Sequence, residues 1–145
     1  MGNLYRHIAI ICGLGFALLW ANALPAVEQL TVEQLQKYHA AYHLRSVTLV
    51  GRVWNMHVQP PLQKAPSQTQ PCTLWYGVAQ FELDDDTGRI PVETLGSCSP
   101  TAMELPHDGK IIELKAKIYA LVPEGEAEPV IKAVAERIAV LPPKF

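Results

Sequence analysis

The chain has 145 residues, of which 49% are hydrophobic and 18% are charged, and its formal net charge is −2. A chain of this length holds one domain, and its hydrophobic content suits a compact folded core. The mild negative charge excludes the strong positive field by which some proteins attract nucleic acid without sequence preference.

The N-terminus predicts a secretory signal over residues 1–23. A single cation, Arg6, precedes the apolar run IAIICGLGFALLW, and Ala21 and Ala23 then show the small-x-small spacing that a signal peptidase accepts. The run is shorter than the roughly 20 apolar residues that a membrane span needs. We therefore expect cleavage, which removes Arg6 and changes the net charge from −2 to −3, and a periplasmic or secreted protein. The alternative is an uncleaved segment that anchors the protein in the inner membrane, facing the periplasm.

Residues 27–43 predict one helix that packs on the domain. Thr31 and Gln34 have the spacing of a capping box, and apolar side chains recur near the helical period. His39 and His43 lie one helical turn apart, but two ligands are too few for a metal site. We therefore expect no metal and no cofactor. A periplasmic metal- or haem-handling protein that uses these histidines is the second alternative.

Five strands are predicted between residues 46 and 141. Their segments are rich in β-branched and aromatic residues or alternate between apolar and polar residues, and they cover 47–58, 72–83, 88–95, 110–122 and 130–141. Gly51 lies where the first strand can bend strongly. A bulge is expected in the last strand near Ala133.

Two connections between the strands have distinct composition. The loop of residues 59–71 holds four prolines and shows no apolar periodicity, which indicates an extended surface segment. Residues 99–105 predict a short helix, with Ser99 as its N-cap and Pro100 at its first helical position.

The stretch FELDDDTGRIPVE predicts a β-hairpin turn. Aspartate and threonine at residues 84–87 offer short side chains that bond to nearby backbone, and Gly88 offers a positive φ. An EF-hand calcium loop that began at Asp84 would need ligands where Gly88 and Leu95 stand, so the spacing excludes it.

Cys72 and Cys98 predict a disulfide. Export would place both in an oxidising compartment, and both fall at the open end of the predicted hairpin, close enough to be bridged. The alternative is two buried free thiols.

The predicted order is that of the five-stranded Greek-key barrel called the OB-fold, which has a helix between the third and fourth strands. VTLVGRV resembles the glycine-bearing first strand of that family, FELDDDTGRIPV resembles its second hairpin, and KAVAERIAVL resembles its closing strand. Over about residues 31–141 the chain resembles the small exported bacterial OB-fold proteins, including the anticodon-binding-like group. The expected fold is therefore all-β, with the N-terminal helix before an OB domain at 46–141.

Alternation along the first three predicted strands indicates which side chains face outward. Arg52 and Trp54 do so on the first strand, Tyr76 and Gln80 on the second, and Arg89 on the third. Such aromatics can stack on a base, a sugar ring or a peptide side chain, and guanidinium groups bind carboxylate or phosphate. The open alternative is that Trp54 and Tyr76 pack against the helix or the proline-rich loop.

No GxSxG, phosphate-binding loop or HExxH occurs in the sequence, so we expect no enzyme. The leading hypothesis is an exported binding module that recognises a protein, peptide or glycan through the face of the first three strands and the 59–71 loop. The alternative is a single-stranded nucleic-acid-binding protein, as the resemblance implies, although Lys115 and Lys117 form only a small basic patch. Contact with a membrane is expected only through an uncleaved signal segment.

Overall fold

The computed structural model describes residues 29–69 and 71–143, so the predicted signal at 1–23 lies outside the described residues. The elements in chain order are the helices α1 (Val32–Lys37) and α2 (His39–Tyr42) and the strands β1 (Ser46–Val58), β2 (Leu62–Gln63), β3 (Leu74–Asp84), β4 (Arg89–Ser97), β5 (Ile111–Leu121) and β6 (Val130–Val140). Within the described ranges, no helix is long and apolar enough to cross a bilayer.

Five strands form a closed barrel in the order β1-β3-β4-β6-β5-β1. The pair β4–β6 is parallel, whereas the other four barrel pairs are antiparallel. This is the strand order of the OB-fold, so the predicted all-β class is confirmed. The two-residue β2 adds to the edge of β3 and was not predicted, because it lies inside the proline-rich loop.

Strict alternation along the strands builds the core. On β5 the residues Ile112, Leu114, Ala116 and Ile118 are fully buried, and the intervening side chains face outward. This pattern removes one face of each strand from water, which stabilises the fold by roughly 25 cal/mol for each Å² of apolar surface buried. The helix α1 adds Val32 and Leu35 to the same core.

The first strand bends where Gly51 was expected to allow it. β1 pairs with β5 as far as Arg52, and with β3 from Arg52 onward, so the strand passes between two partners at this point. A Cβ atom on Gly51 would lie 2.6 Å from the backbone oxygen of Asp84. Glycine is therefore required here by the close approach of β3.

The helix predicted over residues 27–43 is two short helices in the described part of the chain. The capping box is present, because the Thr31 hydroxyl accepts from Gln34 N–H and the Gln34 side chain accepts from Thr31 N–H. The break falls at Tyr38, whose φ and ψ of −112° and 31° are not helical.

The short helix predicted at residues 99–105 is wrong. The segment forms a turn, in which Ala102 N–H donates to the Ser99 carbonyl at 3.4 Å. Pro106 disfavours a helical conformation at the residue before it, and the disulfide at Cys98 fixes the other end. The few residues between these two constraints cannot sustain a helix.

The three aspartates form the predicted turn, but the positive φ lies on Asp86, at 70°, and not on Gly88. Gly88 is under a different constraint, since a Cβ atom there would lie 3.1 Å from Val32 Cγ1, closer than ordinary van der Waals contact. The turn is the surface on which α1 packs. The Asp85 carboxylate accepts a 2.7 Å hydrogen bond from Val32 N–H, which is free at the helix N-terminus.

The predicted bulge in the last strand also lies elsewhere. The pairing of β5 with β6 shifts between Lys115 and Ala116, opposite Arg137 and Ala135, so Glu136 is the extra residue. Ala133 itself is paired in regular register and buried.

Candidate binding site

The outer face of β1, β3 and β4 carries most of the predicted platform. Cross-strand register places Arg52, Asp84 and Arg89 in one row and Trp54, Glu82 and Pro91 in the next. A third row contains His57, Gln80 and Glu93. Arg52, Trp54 and Arg89 are thus brought together as predicted, and Gln80 lies on the same face one row further along.

The guanidinium of Arg89 is already engaged within this face. Its Nε lies 2.8 Å from Asp84 Oδ2, its Nη1 lies 3.6 Å from Glu82 Oε2, and it stands 5.7 Å from the centre of the Trp54 ring. Arg52 donates to the Gly109 carbonyl at 3.0 Å. A phosphate would have to displace these partners, so the two arginines are poorly prepared to bind an anion. Trp54 is 40% exposed and remains accessible.

The Asp84 carboxylate has a lowered pKa, first because the Asp86 N–H donates to it and second because Arg89 does. Its contribution to stability is therefore complete above the ordinary aspartate value of 3.8 and is lost as pH falls through the lowered pKa. We expect an NMR titration of the Asp84 carboxyl to show a midpoint below 3.8. In Arg89→Ala the midpoint should rise only part of the way, because the Asp86 N–H bond remains. A midpoint that does not respond to Arg89→Ala would show that the ion pair does not form in solution.

Tyr76 lies apart from this platform, in an open groove of about 540 Å³. The groove lies where the end of β1, the start of the 59–71 loop, β3 and the turn after β4 meet. We call it the proline groove, and it is lined by Val58, Gln59, Pro61, Tyr76, Gly77, Pro100, Thr101, Met103, Glu104 and Leu105. An adjoining pocket of about 110 Å³ shares Tyr76 and Met103 with it and extends to Ala135 of β6.

The groove marks an interruption in the pairing along one edge of β3. His57 and Val58 pair with Gln80 and Ala79 before the interruption, and β2 pairs with Trp75 and Leu74 after it. Pro60 and Pro61 fall between these two ladders, opposite Tyr76 and Gly77. Proline has no N–H and cannot donate to a ladder. Gln59 N–H still donates to the Val78 carbonyl at 2.9 Å, so the chain continues beside β3, but the two prolines offer no donor opposite Tyr76 and Gly77.

The lining of the groove is mostly apolar. Val58 is 56% exposed, and Tyr76 and Met103 are half-buried, so their side chains form an accessible wall. Glu104 is the one charged residue among those that line the groove in the described part of the chain. Such a site can take an extended uncharged or basic segment, whereas a row of phosphates would meet no cation.

The predicted disulfide is present and fixes one end of this groove. Cys72 and Cys98 are bonded, with their Cα atoms 5.7 Å apart, and they join the segment before β3 to the residue after β4. Pro100 and Thr101, which line the groove, follow Cys98 directly. The 59–71 loop is also tied to the residue before β3, because Lys64 N–H donates to the Thr73 carbonyl.

The two histidines of the metal hypothesis have separate partners. His39 Nδ1 lies 3.1 Å from the Gln36 carbonyl, and His43 Nδ1 accepts from Ala120 N–H at 3.1 Å. Among the described residues, no group of three or more histidine, cysteine, aspartate or glutamate side chains has the arrangement of a metal site.

Sequence reasoning identified Tyr76 and the proline-rich loop but missed Val58, Pro100 and Met103. The one available signal was the Pro60–Pro61 pair, because adjacent prolines at the end of a long strand must interrupt its pairing. Nothing in the sequence indicates that the turn after β4 would face that interruption.

Comparison with known protein families and with characterised sequences gives no match. Among solved structures, the chain is similar to an aspartyl-tRNA synthetase from Leishmania major Friedlin, with 9% sequence identity and a TM-score of 0.48. The aligned part covers 86% of this chain and 23% of that chain, so the chain spans less than a quarter of the synthetase's length.

Proposed function

We propose that the chain is an exported, non-enzymatic OB-fold binding module whose ligand is an extended peptide segment of a protein partner. The observation that carries the proposal is the proline groove, where two prolines interrupt the ladder along β3 and leave an accessible apolar wall. Extended peptide segments, proline-rich ones among them, bind in apolar grooves with an aromatic wall, and side-chain pockets add specificity.

Charge separates this proposal from nucleic-acid binding. The groove offers a carboxylate and no cation, and Arg89 on the neighbouring outer face is paired with Asp84 and Glu82. Single-stranded nucleic acid requires a positive groove that follows its backbone. Aromatic stacking on Trp54 alone does not supply one, so we prefer a peptide to a nucleic acid. A glycan remains a ligand that the same experiment can detect.

Export is part of the proposal and is supported by two features. The apolar run and the Ala21-x-Ala23 spacing favour secretion, and the bond between Cys72 and Cys98 suits an oxidising compartment.

The experiment measures binding of the full chain to fluorescein-labelled peptides of about ten residues, rich in valine, leucine and proline, with and without lysine. A labelled oligothymidylate and a labelled oligosaccharide serve as competing probes. Val58→Asp, in the groove, is expected to weaken peptide binding by about tenfold or more, which corresponds to about 1.4 kcal/mol.

The matched control is Leu44→Asp, which places the same charge at an equally exposed site, 55% against 56%, away from the groove. It should leave peptide affinity unchanged. Trp54→Ala tests the outer face. If Trp54→Ala loses peptide affinity and Val58→Asp does not, the peptide binds to the outer face and not in the groove. Tight oligothymidylate binding that falls steeply with salt would overturn the peptide assignment.

A further inference from the structure

The β5–β6 hairpin has a charge pattern that neither the fold nor the proline groove uses. Its outward side chains run in cross-strand rows from the barrel toward the tip: Lys115 with Arg137, Lys117 with Val134, Tyr119 with Lys132, and Leu121 with Val130. Beyond the last row, the connecting loop carries Glu124, Glu126 and Glu128. The hairpin is therefore basic toward its base, apolar in the middle and acidic at its tip.

The apolar middle of the hairpin is exposed to solvent. Leu121 is 56% exposed, Val122 is 61% exposed and Val130 is 51% exposed. Leu121 and Val130 form one patch, because they are cross-strand partners, and Val122 adds exposed apolar surface where the strand ends. Contiguous exposed apolar patches with a polar rim mark interaction sites more often than singly scattered apolar residues do.

Several charges on either side of the patch lack partners of opposite sign within the described residues. Arg137 is paired with Glu113, and Lys132 is paired with Glu93. Lys115 and Lys117 form no ion pair in the described chain, and neither do the three glutamates of the loop. The hairpin thus presents unpaired positive charge on one side of an apolar patch and unpaired negative charge on the other.

We propose that this hairpin is the interface of a two-fold symmetric dimer of the chain. In a two-fold interface the same patch is used by both subunits, so a surface must complement itself. Two such hairpins laid antiparallel bring the apolar middles together and place each acidic tip over the other subunit's Lys115 and Lys117. Lys117 is about 13 Å along the strand from Leu121, and the first glutamate of the loop follows Leu121 after a similarly short stretch of chain.

The test uses sedimentation velocity of the full chain at about 0.05 M and about 0.5 M NaCl, since exposed charge pairs are screened over about 10 Å at 0.1 M salt. A dimer is expected at low salt, with weaker association at high salt. The double substitutions K115E/K117E and E124K/E126K should each weaken dimerisation by tenfold or more, because each places like charges opposite one another.

An equimolar mixture of these two variants supplies the decisive measurement. Each substituted side chain in the mixed dimer faces substituted or native side chains of opposite charge, so the mixture should dimerise at concentrations where neither variant does so alone. The control K110E changes a charge outside the hairpin and should dimerise like the unaltered chain. A chain that stays monomeric, a dimer that both charge variants retain, or a mixture that does not recover association would each overturn the proposal. Recovery on mixing also shows that the variants are folded.

Discussion

Replacement of Cys72 and Cys98 by serine is expected to lower the free energy of unfolding by about 3 kcal/mol. The bond joins two residues 26 positions apart. In the loop-entropy account, closing a loop of this size removes conformational entropy from the unfolded chain and raises its free energy by about that much. The loss is a large share of the roughly 5–15 kcal/mol by which a small domain is stable. It should appear mainly as a lower urea midpoint.

The measurement compares urea unfolding of the oxidised chain, the same chain with reductant, and the double serine variant. The reduced chain and the variant should agree with each other, and reductant should not affect the variant further. That comparison separates the loss of the bond from any cost of placing serine at the two sites. If reduction leaves the urea midpoint of the oxidised chain unchanged, the bond does not stabilise the fold.

The same variant connects stability with the proposed site. Pro100 and Thr101 line the proline groove directly after Cys98. Without the bond, this wall of the groove is tied to β3 less closely. Peptide affinity should therefore fall even under conditions in which the double serine variant is fully folded.

The barrel was predictable because its information is local. A strand with one buried face alternates with a period of two residues, and β5 shows this from Ile112 to Ile118 without interruption. The turn residues between β3 and β4 fix the register of that hairpin, and the hairpin register in turn places Cys72 near Cys98. Each inference rests on neighbours in the sequence.

The errors arise where distant residues decide the outcome. Gly88 is the residue that a tight turn favours for positive φ, but Asp86 adopts it, and Gly88 instead lies against Val32 of α1. Ser99 and Pro100 have the composition of a helix start, yet the disulfide and Pro106 leave too little chain for a helix. Tertiary contacts of this kind override local preference.

The predicted platform shows the same limit at the level of chemistry. Alternation correctly placed Arg52, Trp54 and Arg89 on one face, because the two-residue period of a strand determines the side of the sheet to which each side chain points. It could not show that Asp84 and Glu82 come from the adjoining strand to occupy the Arg89 guanidinium. Whether an arginine is available to a ligand depends on which acidic side chains of the neighbouring strand reach its guanidinium, and the alternation along one strand does not contain that information.

The second large effect concerns the acidic turn itself. Asp85→Asn is expected to cost about 1.5–3 kcal/mol, because hydrogen bonds to an ionised group contribute about that much and the partly buried N–H groups of Val32 and Gly88 compete for the one oxygen that is left. One carboxylate oxygen accepts from Val32 N–H at 2.7 Å. The other accepts from the Thr87 N–H, the Thr87 hydroxyl and the Gly88 N–H. An asparagine amide nitrogen cannot accept, so either the helix or the turn must lose its partner.

The neighbouring Asp86 provides a matched control for this substitution. It carries the same charge in the same turn, but its side chain is exposed and its φ of 70° is one that asparagine also tolerates. Asp86→Asn should therefore change the free energy of unfolding by less than about 0.5 kcal/mol. Urea unfolding gives both values, and amide hydrogen exchange over Val32–Lys37 should accelerate only in Asp85→Asn. Equal effects of the two substitutions would mean that the turn acts through its charge alone. A selective effect of Asp85→Asn would mean that a side chain in the β3–β4 turn holds α1 in place, with Val32 and Leu35 of that helix packed in the barrel core.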